Sequence, residues 1–196
     1  MPTGSRPVKV GVLLPRQLDE LGEWLADAAA FDAAGADALW VDPAVGPELD
    51  PLALLAALAA LTSRSLVVAA LPPPDRPPGA LARTLATICR LSYGRLALVA
   101  DSERIEELIA VVPTLEAFRS LPGVPGAFER ARPGDGPERW VQTPSPEDRA
   151  AWRAALADAV ERGTGGLLVP AAPGLLDLLR NPDGPGGRGD LHLAQG

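Results

Sequence analysis

One cysteine, one histidine and one lysine stand among 196 residues, and each scarcity removes a class of chemistry. Cys89 alone leaves no internal disulfide and no cysteine metal cluster. It falls in ARTLATICRLS, whose pattern predicts a helix, so it reads as an ordinary core or half-buried thiol. His192 stands alone in a glycine-rich stretch, and metal ligands come in groups. Lys9 is the only lysine, beside abundant arginine, alanine and proline. Aromatics make up 4% of the chain; Trp24, Trp40, Trp140 and Trp152 read as core or interface rather than stacking platforms. Basic charge is in deficit, with 18 Lys and Arg against 25 Asp and Glu and a net charge of −7. That balance disfavours a nucleic-acid groove and an anionic membrane surface as partners. The longest apolar run, around residues 52–61, is too short to span a bilayer. MPTGSRPVKV has no apolar signal core, so a cytoplasmic location is expected.

What the sequence does have is alternation of strand and helix patterns. VKVGVLL (8–14), ALWVD (38–42), SLVVAAL (65–71), RLALVA (95–100), RWVQT (139–143) and GLLVP (166–170) read as buried strands, short and nearly continuous in apolar side chains. Between the first two, Asp19 can cap a helix to about Ala34, with Leu21, Leu25 and Ala28 at helical spacing and Gly35 at its end. Asp50-Pro51 reads as an N-cap followed by proline at the first helical position. The helix it opens, LALLAALAAL (52–61), is apolar on every side, which predicts burial against a sheet on one face and a second subunit on the other. GALARTLATICRLS gives a third helix with Leu81, Leu85, Ile88 and Leu91 as its stripe. SERIEELIAVV begins a fourth, which Pro113 should interrupt. In SPEDRAAWRAALADAVERG, Ser145 reads as N-cap, Pro146 as the first position and Gly163 as the end. PGLLDLLR is a short last helix.

Residues 121–138 read as loop, and the Gly/Pro-rich stretch 181–196 as a flexible tail after a single domain spanning 1–180. Alternation at this spacing means parallel β/α units. A full eight-unit barrel usually needs about 250 residues. The fold class is therefore α/β, a TIM-barrel-like (β/α)8 chain shortened to about six units, its barrel incomplete or open.

The order of these segments resembles the luciferase-like oxidoreductase family, which includes bacterial luciferase, flavin monooxygenases and deazaflavin-dependent dehydrogenases. The resemblance rests on VKVGVLLP, FDAAGADALWVD, DPLALLAALAALTSRSLVVAAL and ALARTLATICRLSYGRLALV. It covers residues 8 to about 103, weakens through 104–138 and partly returns over 139–180. It implies a (β/α)8 barrel, usually dimeric, here through helix 52–61. It also implies FMN or the deazaflavin coenzyme (F-420) over the C-terminal strand ends, with a small organic molecule as substrate.

Carried over residue by residue, the implied cofactor contacts are Asp42, Ala69, Ala70, Pro72, Asp101 and Ser102. Asp42 ends strand two where relatives carry an acid, and Pro43 stands where many keep a histidine. Ala69, Ala70, Leu71 and Pro72 match the ring-supporting end of strand three. Ala100, Asp101 and Ser102 stand where a glycine-rich run is expected, and a carboxylate at Asp101 would repel a phosphate. The phosphate loops of the later units have no match, and no catalytic residue is assigned. The alternative reading is a relative that has lost its cofactor and serves as a partner subunit or ligand-binding accessory. Gly163-Thr164-Gly165-Gly166 precedes a strand and reads as a plain turn, and Asp42 also has a reading as a cap for nearby N–H groups.

Overall fold

The computed structural model describes residues 8–15, 20–41, 49–71, 77–100, 102–132 and 135–181. Eight strands close a barrel in the order β1 to β8. They are β1 (Lys9–Leu14), β2 (Ala38–Val41), β3 (Leu66–Ala70), β4 (Leu96–Val99), β5 (Glu116–Ser120), β6 (Ala127–Arg132), β7 (Asp135–Gln142) and β8 (Gly166–Pro170). Helices α1 (Leu21–Ala33), α2 (Pro51–Leu61), α3 (Pro78–Leu91) and α4 (Ser102–Val111) follow the first four strands. Helices α5 (Arg149–Glu161) and α6 (Pro173–Arg180) follow β7 and β8.

The expectation of a TIM-barrel-like fold with about six β/α units holds, and that of an incomplete barrel is corrected. Six helices are present, but the barrel is complete, because two of its strands come from stretches not read as strands. Residues 121–138 are not all loop: they hold β6 and the start of β7. The joins β5–β6 and β6–β7 are antiparallel, the other six parallel. Antiparallel neighbours need only a hairpin, whereas a parallel pair needs a long crossover. Reversing β6 therefore removes two helices, which is how this chain closes eight strands in 196 residues. The outer face of β5–β7 has no helix of its own in the element order. It carries a cross-strand charge row instead, Arg119 opposite Glu129 and Glu129 opposite Arg139.

Local rules explain the first half. Asp50 caps α2 by accepting from the Leu52 N–H at 2.9 Å, with Pro51 at the first position. Helix α1 ends as expected, with Gly35 at φ 93° and the Ala36 N–H reaching back to the Phe31 carbonyl. Helix α5 differs: its N-cap is Asp148, whose side chain accepts from the Ala151 N–H at 2.7 Å, while the Ser145 hydroxyl donates to the Pro170 carbonyl. Either residue type suits an N-cap, and Asp148 lies closer to the helix. Leu91, expected in the α3 stripe, is exposed instead. The main core lies between barrel and helices, where Val12, Leu39, Val67, Leu98 and Val169 meet Leu55, Leu58, Leu85 and Ile88. Cys89 is part of this core, and burial pushes its thiol pKa up, consistent with a structural thiol.

Two polar knots hold the N-terminal end of the barrel. Asp32 accepts from the N–H groups of Ser63, Arg64 and Ser65. Burial alone would raise its pKa; those bonds outweigh burial and hold it below the ordinary range. Arg95 donates to the carbonyls of Ser65 and Thr62 and to the Thr62 hydroxyl. It thereby meets carbonyls that the end of α2 leaves open.

Candidate active site

Side chains alternate across a strand, and the register decides which ones fill the barrel. The interior cluster contains Ala38, Trp40, Val68, Ala97, Phe118, Trp140 and Leu168, with Leu13, Leu66, Val99 and Phe128 packed against it. Trp40 is its hub. Its ring lies 4.8 Å from Phe118, 4.8 Å from Phe128 and 6.2 Å from Trp140. Room for two indoles comes from two glycines: a Cβ on Gly11 would lie 2.8 Å from Trp140, and one on Gly166 would lie 2.4 Å from it. Small residues facing large ones are what a narrow barrel requires.

The interior is sorted by polarity along the barrel axis. At the N-terminal end Lys9 donates to both Glu138 oxygens at 2.7 and 2.9 Å, and the Trp140 indole N–H donates to Glu138 at 3.1 Å. Arg130, 1% exposed, pairs with Glu116, lies 3.8 Å from Glu138 and sits over the Phe118 ring. Asp37 accepts from the Val10 N–H beside this group, and burial lifts its carboxyl above the ordinary range. These charges form a floor.

Toward the C-terminal strand ends the inward positions are uncharged. Leu13, Ala70, Val99, Phe128 and Pro170 are half-buried there, and Ser120 and Gln142 are exposed at the rim. The β5–β6 hairpin shapes one side. Gly126 at φ 72° brings the chain so close that a Cβ would lie 3.0 Å from Gln142 Cβ. Its carbonyl accepts the Gln142 N–H at 2.7 Å. The Trp40 Nε1 is buried beside Gly11 and meets no acceptor among the described residues.

Of the residues carried over from the resemblance, Ala70 takes an inward register position beside Val99. Ala69, one residue earlier, points the other way into the layer under the helices. Ser102 is the first residue of α4. Asp42, Pro72 and Asp101, and the stretch 182–196 read as a tail, lie outside the described residues. The structure thus adds inward or rim residues that sequence reasoning missed: Ser120, Phe128 and Gln142. Their signal was the alternation of Phe118 with Ser120 and of Phe128 with Arg130, hidden because charged residues take inward places. Among the described residues no group of three His, Cys, Asp or Glu side chains could hold a metal, and no helix is long and apolar enough to cross a membrane.

Comparison with known proteins agrees with the first-half resemblance. A search of curated proteins finds no match. Among solved structures, one described as "QR15, an Aldolase" is 11% identical, with a TM-score of 0.35, over 86% of this chain and 68% of the other. That score adds nothing to what the strand order establishes. The model of the luciferase-like monooxygenase family matches residues 7–100, the stretch that forms β1 to β4 with α1 to α3. The resemblance to the luciferase-like family is therefore supported over these first four strands, and with it an oxidoreductase of the monooxygenase kind.

Proposed function

We propose that this chain binds a flavin or deazaflavin ring over the C-terminal strand ends and acts as an oxidoreductase on a small organic molecule. The observation that carries this reading is the uncharged, aromatic upper interior, built partly by strands that match the family. A flat apolar ring fits a floor of Trp40 and Phe128 with Leu13, Ala70 and Val99 around it. Ser120 and Gln142 offer a hydroxyl and an amide at the rim for the polar edge of such a ring. The bound ring would supply hydride transfer or oxygen activation; the protein would orient it and exclude water. The phosphate of FMN fits less well, since the described residues of the connections that leave the strands at this end include no Lys or Arg.

The test is titration of the purified protein with FMN and with the deazaflavin coenzyme, followed by visible absorbance and fluorescence. Saturable binding of either, weakened by Phe128→Ala, is the expected result. Absence of binding at about 100 µM, a Kd above which affinity is marginal, would leave the cofactor-free accessory reading in place. That second reading draws on Pro43 in the position of a ring-facing histidine.

A homodimer through α2 belongs to the same proposal. Leu52, Leu54, Leu55 and Leu58 face the chain's own core, while Ala53, Ala60 and Leu61 are exposed. The outward face thus carries no polar side chain, and a second copy is its proposed cover. Ala60→Glu should convert a dimer to a monomer of unchanged circular dichroism. Light scattering that finds the unaltered protein monomeric at tens of micromolar, a range where interfaces of ordinary size stay closed, defeats the idea.

A further inference from the structure

Charge on the connecting segments of this barrel is polarised along its axis, although Arg104 and Arg149 stand in the first turns of α4 and α5 at the acidic end. The connections that leave the C-terminal strand ends are 15–20, 42–50, 71–77, 100–101, 121–126, 143–148 and 171–172. Their described residues include four acids, Glu20, Asp50, Glu147 and Asp148, and no base. The described connections that enter the strands from helices reverse the balance, with Arg64, Arg95 and Arg162 against Asp37 alone. The acidic end is where a barrel of this type works.

Helix N-termini would ordinarily favour a phosphate at that end, through their free N–H groups and the positive end of the helix dipole. At α2, α3, α5 and α6 protein groups take part of that place, while α1 has no side-chain cap. Asp50 holds the Leu52 N–H at the start of α2, and Asp148 holds the Ala151 N–H at the start of α5. Helices α3 and α6 begin on Pro78 and Pro173, which bring no N–H, and the N–H groups of Ala80 and Leu175 turn back onto the Pro77 and Ala172 carbonyls. A ring therefore finds an uncharged aromatic floor, and a phosphate attached to it finds carboxylates.

We infer that this face selects a ring ligand without a phosphate, so that riboflavin binds at least as tightly as its phosphate ester FMN. The inference rests on the ring-binding reading above and narrows its ligand class. The experiment is a paired calorimetric titration of the full chain with riboflavin and with FMN, at low salt and at physiological salt. Riboflavin should bind with an affinity equal to or above that of FMN. Any FMN penalty should shrink as salt screens the rim. The double variant Asp50→Asn, Asp148→Asn keeps both caps, because asparagine caps as well as aspartate. It should improve FMN binding about threefold relative to riboflavin, through the rim charge it removes. FMN binding more than about threefold tighter than riboflavin, a preference of roughly 0.7 kcal/mol, overturns the inference while the ring-binding reading stands. An unchanged FMN-to-riboflavin ratio in the double variant also overturns it. If neither ligand binds, the ring-binding reading itself fails and this inference goes with it.

Discussion

Gly166→Ala should destabilise the protein by about 3 kcal/mol, the upper part of the range for overpacking a well-filled core. The added methyl would lie 2.4 Å from Trp140 Cδ2 and 2.5 Å from Cε2, far inside van der Waals contact. Trp140 has nowhere to go. It is fully buried, edge-on to Phe118 at 5.7 Å, and held through its indole N–H by Glu138. Gly11 closes on the same ring from β1, a neighbour of β8 in the barrel. The residue before it, Gly165, would place a Cβ 2.6 Å from Glu138 Cγ. Glu138 is itself held by Lys9 and the Trp140 N–H, so Gly165→Ala should also be destabilising, by about 1–3 kcal/mol. Urea denaturation followed by circular dichroism measures both. Adding Trp140→Phe to Gly166→Ala should give a double variant more stable than the two separate losses predict, because the smaller ring relieves the overlap. A loss under about 0.5 kcal/mol for Gly166→Ala, within the effect of an ordinary surface change, would mean the indole does not fill this space.

The same contrast separates what the sequence made legible from what it hid. Asp50-Pro51 and Gly35 obey local rules, and the structure keeps both. ALWV reads as a buried strand because all four residues are apolar, and all four are buried. Nothing local marks β5, β6 or the first half of β7; only RWVQT, at the end of β7, reads as a strand. Glu116, Arg130 and Glu138 take inward register positions, so the usual apolar-in alternation is broken where it would be needed to find a strand. The direction of β6 is equally hidden, since a strand's own residues carry no mark of parallel or antiparallel pairing; the hairpin length does. For the site, a strand-three end was legible as Ala69 and Ala70 together, yet a period of two allows only one of them to face the barrel. Trp40 was legible as core but not as the hub beneath the strand ends. Its role depends on Phe118 and Phe128, which come from the strands the sequence concealed.

Arg130→Met should cost about 3 kcal/mol, because it leaves carboxylates in the barrel floor without their main cation. Breaking a buried ion pair by removing one partner typically costs 3–5 kcal/mol. The lower figure applies because the Glu116 side chain is 31% exposed and can recover some hydration. Glu138 is 14% exposed but keeps Lys9 and the Trp140 N–H, so Glu116 is the group most affected. Adding Glu116→Gln to Arg130→Met removes the stranded charge while preserving shape. The double variant should therefore be more stable than Arg130→Met alone, by about 1–2 kcal/mol as coupled neighbours behave. A floor that serves only as filler gives a different pattern, in which the two losses add. The comparison also bears on the rim. The ionic groups of the floor lie below the aromatic layer, so changing them should leave a ligand above that layer unaffected. Ligand titration of the double variant should then leave the riboflavin affinity within about twofold, a difference near 0.4 kcal/mol. A larger loss would tie the floor charges to the ligand itself and move the site into the barrel rather than above it.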